Sequence, residues 1–236
     1  MRTCKFAAVL TVLLCVIAIV PLAWADPMPI TLFNTGVGTG GNLVPDGGVD
    51  PHYTLSTSPD PLFPGPSAYA GHIGALWTTN TSISKWIGRD PSFEWVASGD
   101  YVYHTTFELP NSFDPKKDTA SITGWWSSDN TGVDILINGK STGNFIPFGE
   151  WGVSDSWRTL HPLSITTGFE KGDNTLDFVV WNEGAYSGLH VQMTGFYDLK
   201  PIPEPSTLGL VGIGILGLFG YGWGRGRHGW QDPVPM

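Results

Sequence analysis

Residues 122–143 read I-T-G-W-W-S-S-D-N-T-G-V-D-I-L-I-N-G-K-S-T-G, and this run decides the fold. Ala120, Ile122 and Gly124 alternate with Ser121 and Thr123 ahead of Trp125-Trp126. Val133, Ile135 and Ile137 alternate with Asp134, Leu136 and Asn138. A period of two is the pattern of strands with one buried face, because successive side chains point to opposite sides. Asp129-Asn130-Thr131-Gly132 between them is turn chemistry. Asn138-Gly139 is the dipeptide best suited to a type I′ hairpin, whose two central residues both need positive φ.

Working outward, Tyr101, Tyr103, Thr105 and Phe107 point one way while Val102, His104, Thr106 and Glu108 point the other. Further strands are predicted at 158–165, 175–181 and 188–196, with Lys171-Gly172-Asp173-Asn174 as another turn. No helical period occurs between Asp26 and Lys200. Six or more antiparallel strands without helices must pack as a sandwich or close as a barrel. The reading adopted is an all-β domain over 26–199, a jelly-roll β-sandwich of antiparallel strands. In 32–91, the Gly- and Pro-rich runs 36–48 and 58–66 read as long loops. Strands are expected near 53–57 and 75–79. His52, Tyr53, Trp77 and Trp86 argue that this segment wraps the sandwich in order, against the competing reading of a solvated spacer.

The run 122–143 resembles the hairpin of galactose-binding-domain-like modules, in which a tryptophan-bearing strand leads through a polar turn to V-D-I-L-I-N-G-K. N-T-L-D-F-V-V-W-N at 174–182 and G-L-H-V-Q-M-T-G at 188–195 are similar to the last strands of those modules. The resemblance spans roughly 101–195. It implies an accessory module that binds carbohydrate or another surface ligand and catalyses nothing.

The two ends read as addresses. Met1-Arg2-Thr3-Cys4-Lys5 is basic, 6–20 is uncharged and apolar, and Ala23-Trp24-Ala25 follows Pro21. This is a signal peptide over 1–25, cleaved by signal peptidase before Asp26 and read through Ala23 and Ala25. A retained anchor is the alternative, for which the apolar run is short. Cys4 and Cys15 are the two cysteines of the chain, so the mature domain would stand without a disulfide. At the other end Pro203-Glu204-Pro205-Ser206-Thr207 precedes an uncharged run, 208–223, and then Arg225, Arg227 and His228. A helix over 205–224 has about the 20 residues needed to cross the hydrocarbon, with its arginines on the cytoplasmic side. Repeated glycines there favour close helix contact in lipid.

The order of polar motif, apolar helix and basic cap closely resembles the PEP-CTERM sorting signal of Gram-negative bacteria, here over 200–230 with a short tail, 231–236. Its motif residues match at Pro203, Glu204, Pro205, Arg225 and Arg227. The resemblance implies recognition by an exosortase, passage through an inner-membrane intermediate, and delivery to the cell surface or an exopolysaccharide matrix. An ordinary C-terminal anchor is the alternative.

Composition narrows the function. Charged residues are 14% and aromatic residues 13% of the chain. Without 1–25 there remain 10 Lys and Arg against 21 Asp and Glu, a net charge near −11. Phosphate recognition needs clustered cations, so nucleic acid is not an expected partner. No G-x-S-x-G, H-E-x-x-H, P-loop or cysteine nucleophile occurs, and His52, His72, His104, His161 and His190 have no ligand spacing. No catalytic residue is assigned and no enzyme activity is expected. Asp129 with Asp134, and Asp177 with Glu183, are the nearest carboxylate pairs for glycosidic acid and base work.

Carbohydrate suits the residues better, because exposed rings stack on the apolar face of a pyranose while short polar groups bond its hydroxyls. Loop-placed Trp86, Trp151 and Tyr186 are candidate platforms, and Asp129, Asn130, Asn182 and Glu183 are candidate hydrogen-bonding residues. Trp125, Trp157 and Trp181 are expected in the core. No cofactor is expected beyond a structural calcium, for which Asp46, Asp50, Asp129 and backbone carbonyls offer oxygen ligands. The functional expectation is a non-enzymatic, extracellular-polysaccharide-binding surface module. A purely structural matrix protein is the alternative.

Overall fold

Alternating segments become strands wherever turn residues separate them. The structure, a computed structural model, describes residues 26–71, 74–147 and 156–200. Residues Asp26–Leu199 make one compact unit. Its strands, among the described residues, are β1 (Met28–Ile30), β2 (Val49–Thr57), β3 (Ser67–Gly71), β4 (Trp86–Gly88), β5 (Gly99–Leu109) and β6 (Thr119–Asp129). They continue with β7 (Thr131–Ile137), β8 (Lys140–Ser141), β9 (His161–Ile165), β10 (Gly172–Asn182) and β11 (Gly188–Asp198). All pairings are antiparallel, along the path β8-β7-β10-β5-β2-β3-β4-β11-β6-β9, with β1 added to β11.

That path folds over on itself, so that β7, β10, β5 and β2 face β11, β6 and β9. Trp126 of β6 meets Phe178 of β10 across the interior, with ring centroids 6.0 Å apart. From β5 onward the chain changes layer at each long connection, as expected of a jelly-roll sandwich. The alternation of β5 holds throughout, with Tyr101, Tyr103, Thr105, Phe107 and Leu109 buried. Large rings fill the core of this disulfide-free domain: Trp126, Tyr53, Tyr101, Tyr103 and Phe178 are fully buried. Tyr53 and Tyr101 satisfy their hydroxyls by donating to the carbonyls of Phe33 and Ala97. Burial pushes the Tyr53 and Tyr103 hydroxyls well above their ordinary range.

The Asn138-Gly139 turn forms as read. It joins Ile137 to Lys140 across a two-residue loop with φ of 50° and 74°. A Cβ on Gly139 would meet nothing within 4 Å, so Gly139→Ala tests backbone conformation alone. The expected result is a loss of about 1 kcal/mol in urea denaturation, the cost of a side chain in the left-handed region.

Four readings of the fold need correction. The run 122–143 is not one hairpin: β6 pairs with β11 and β9, whereas β7 pairs with β10 and β8, and the chain crosses between layers at Asn130. Val133 is exposed because the β7–β10 register slips between Val179 and Val180, leaving it as the extra residue of a bulge. Residues 75–79 form no strand; β3 and β4 flank them and pair with each other. The strand expected from 158 begins at His161. The signal peptide, its cleavage site and the C-terminal helix 205–224 lie outside the described residues.

Candidate functional site

Register brings one set of loops together at one end of the sandwich. Asp129 ends β6 opposite Gly188, which begins β11, and Asn182 ends β10 opposite Gly99, which begins β5. The β6–β7 crossing and the β10–β11 loop therefore leave the same end. The loops before β4, β5 and β9 join them to enclose a cleft of about 500 Å3.

Hydrogen bonds hold these loops in place. Asn130 accepts at Oδ1 from the Glu183 amide (2.7 Å), and Ser187 donates its hydroxyl to the Asp129 carbonyl (3.0 Å). Val96 donates to the Ala185 carbonyl (2.8 Å), and Thr78 to the Trp157 carbonyl (2.7 Å). The loop bearing Glu94 is fixed by buried Arg89, which donates to the carbonyls of Glu94 and Trp95 and pairs with Asp60 and Asp90.

One wall of the cleft is aromatic. Trp77 stands edge-on to Tyr186 (centroids 6.4 Å apart, 78°) and packs on Trp86 (4.6 Å), while Trp157 lies at the partly buried margin of the same cluster. The polar lining is Asp129, Asn130, Arg158, Glu94 and Glu183. Asp129 is buried, and its Oδ1 has no hydrogen-bond partner among the described residues; neither has the buried Nε of Arg158. Burial alone pushes the Asp129 carboxyl up to about 7. Near neutral pH it can therefore offer a ligand either an O–H donor or an acceptor.

Asp129, Asn130, Glu183 and Tyr186, singled out from sequence, meet here. Trp86 does not serve as a platform: it is only 1% exposed on β4, donates Nε1–H to the Thr78 carbonyl (2.7 Å), and supports Trp77 from behind. Asn182 is buried too, donating to the carbonyls of Val96 and Ala97, so it braces the cleft without reaching it. Trp151 lies outside the described residues. Trp157 faces the cleft and Trp125 faces solvent, where core positions were expected; Trp181 is half-buried.

The carboxylate pairs do not form. Asp134 accepts from the Ile135 amide, and Asp177 pairs with His104 at 2.7 Å on the outer face of β5 and β10. The calcium set does not converge either. Asp46 pairs with Lys85, and Asp50 accepts from the amides of Gly36, His52 and Tyr53, leaving Asp129 alone in the cleft. Among the described residues no group of three or more His, Cys, Asp or Glu is placed to hold a metal ion. Sequence reasoning missed Trp77, Glu94, Trp157 and Arg158. The local pattern places Trp77 and Arg158 in strands, and nothing local marks Glu94.

The family model described as the PEP-CTERM protein-sorting motif matches residues 201–225. No curated protein matches the chain. The matched motif makes this an exported protein that an exosortase processes at a membrane-anchored step on its way to the cell surface.

Proposed function

We propose that this exosortase-sorted, exported protein uses its β-sandwich to bind carbohydrate at the cell surface or in the surrounding polysaccharide, and catalyses no reaction on it. The observation that carries the reading is the cleft itself, lined by Trp77, Tyr186 and Trp157 together with buried Asp129, whose Oδ1 has no hydrogen-bond partner among the described residues. Rings match the C–H face of a pyranose, and a carboxyl able to donate or accept matches its hydroxyls. The resemblance of 101–195 to galactose-binding-domain-like modules points the same way. Glycosidic hydrolysis uses two carboxyl groups flanking the bond, one of them held protonated. Asp129 has the burial for that role, but Glu94 and Glu183 lie exposed at the rim, which favours binding over turnover.

The test is an oligosaccharide array probed with the full chain and with Tyr186→Ala. Tyr186 is well exposed, so its loss should leave the melting temperature almost unchanged. Affinity for the recognised sugar is expected to fall about tenfold, the effect of losing one ring contact. No binding to any glycan by the native chain would make the protein a purely structural matrix component. Release of reducing ends from a bound glycan would make it an enzyme.

A further inference from the structure

We propose that the outward face of β11, β6 and β9 is a second carbohydrate contact, a flat platform for a linear, uncharged polysaccharide. Three rungs define it. Gln192, Trp125 and Pro162 form the first, Thr194, Thr123 and Ser164 the second, and Phe196 with Ser121 the third. The inward neighbours Ile122, Trp126, Val191, Met193, Leu163 and Ile165 are buried, which sets the rung residues on the outer side, where half-buried Gln192 donates its amide to Thr81 and Ser84 and so marks the edge of the platform.

Two large rings are exposed on this face, Trp125 at 50% and Phe196 at 48%. Both sit on eleven-residue strands, and within the three rungs the other positions of those strands carry Ser, Thr or Gln. The sandwich does not require rings there, and Trp125 pairs with no other ring among the described residues. Ser121 beside Phe196 lies four residues along β6 from Trp125, about 13 Å at the usual strand rise. That separation exceeds one sugar and suits a chain of linked pyranoses, with the hydroxyls of Thr123, Thr194 and Ser164 lying between the rings.

Charge selects the polymer. The three rungs contain no Asp, Glu, Lys or Arg, and the next outward residue on β11 is Asp198. With no cation to meet a carboxylate or sulfate and a chain net charge of −9, an anionic polymer is repelled and a neutral one is not. Because the platform is built on paired strands, little order is lost on binding. The inference shares with the cleft reading the premise that the exported domain meets glycans, but it rests on different residues.

Affinity gel electrophoresis of the full chain in mild detergent, with mixed-linkage β-glucan, xylan, galactomannan or dextran in the gel and alginate as the anionic comparison, tests it. The native chain should be retarded by at least one neutral polymer and not by alginate. Trp125→Ala should weaken that retardation about tenfold, as the loss of one ring-on-sugar contact does. Trp125→Tyr should keep most of it. Thr123→Lys, which puts a charge on the strip without removing a ring, should also weaken it, and near-UV circular dichroism verifies that each variant is folded. Tyr186→Ala should leave retardation intact, while Trp125→Ala should leave array binding of short sugars intact, so the two contacts fail separately. Retardation unchanged in folded Trp125→Ala and Thr123→Lys overturns the proposal, as does retardation by alginate alone or by no polymer. Conversion of a dimer to a monomer by Trp125→Ala in sedimentation, without any polymer effect, would assign the face to a second copy of the chain.

Discussion

Asp129→Asn should turn a nearly flat dependence of stability on pH into a steep one. The Asp129 carboxyl sits at about 7 in the folded chain and at 3.8 when unexposed to that burial. Below 3.8 the carboxyl becomes protonated in both states and its contribution is complete. As pH rises toward 7 the unfolded state releases the proton first, and the native chain loses up to about 4 kcal/mol. His190 works in the opposite direction. Burial lowers its imidazole from 6.5 to about 4, so its contribution is complete above 6.5 and falls away by up to about 3 kcal/mol as pH drops to 4. The two contributions oppose each other between pH 4 and 6.5.

Asparagine removes the first contribution alone. Urea midpoints of Asp129→Asn should therefore climb from pH 4 to 6.5, while the native chain stays level and then weakens slightly toward pH 7. At pH 8 the variant should be the more stable protein. Parallel pH curves for the two would mean that Asp129 is ionised in the folded domain, and the cleft would then lose its donor. His190 has its Nε2 2.7 Å from the Ser84 hydroxyl, inside a network that also includes Thr81 and Gln192. Within it Ser84 and His190 are buried and Thr81 and Gln192 half-buried, and none of the four lines the cleft, so the network carries the pH effect without contributing to the cleft.

Trp126→Ala carries the largest stability cost expected of a single core truncation here, about 3–5 kcal/mol. Trp126 is fully buried, packs across the interior on Phe178, and lies against Gly132, where an added Cβ would come within 2.5 Å of the indole. Gly132 has no side chain with which to fill the hole, so the site can collapse only partly. Because Trp126 precedes Asp129 by three residues on β6, its loss should also loosen the crossing that places Asp129 and Asn130. Urea denaturation should show the full cost, and the array assay on the remaining folded fraction should show weakened binding. A loss below about 1 kcal/mol would mean that the two layers do not depend on this contact. Tyr186→Ala and Trp125→Ala remove exposed rings and should spare stability, which separates surface roles from core roles among the aromatic residues.

Local sequence determined the strand character of β5, β6, β7, β10 and β11, the Asn138-Gly139 hairpin, and the sorting motif, since each depends on spacing or turn chemistry within a dozen residues. It also marked Asp129, Asn130, Glu183 and Tyr186, because short polar and aromatic residues between strands lie at loop ends. Tertiary structure decided everything that depends on which strand lies beside which. A period of two assigns residues to alternate faces but does not say which face is inward, so Trp125 was exchanged for solvent while Trp126 took the core. Pairing of β6 with β11 and β9, and of β7 with β10, made a layer crossing of what looked like a hairpin. It buried Trp86 and Asn182 beneath loops distant in sequence, and brought Trp77, Glu94, Trp157 and Arg158 to Asp129. Burial is a property of the assembled layers, and so the carboxyl that can bind as either donor or acceptor exists only once they have packed.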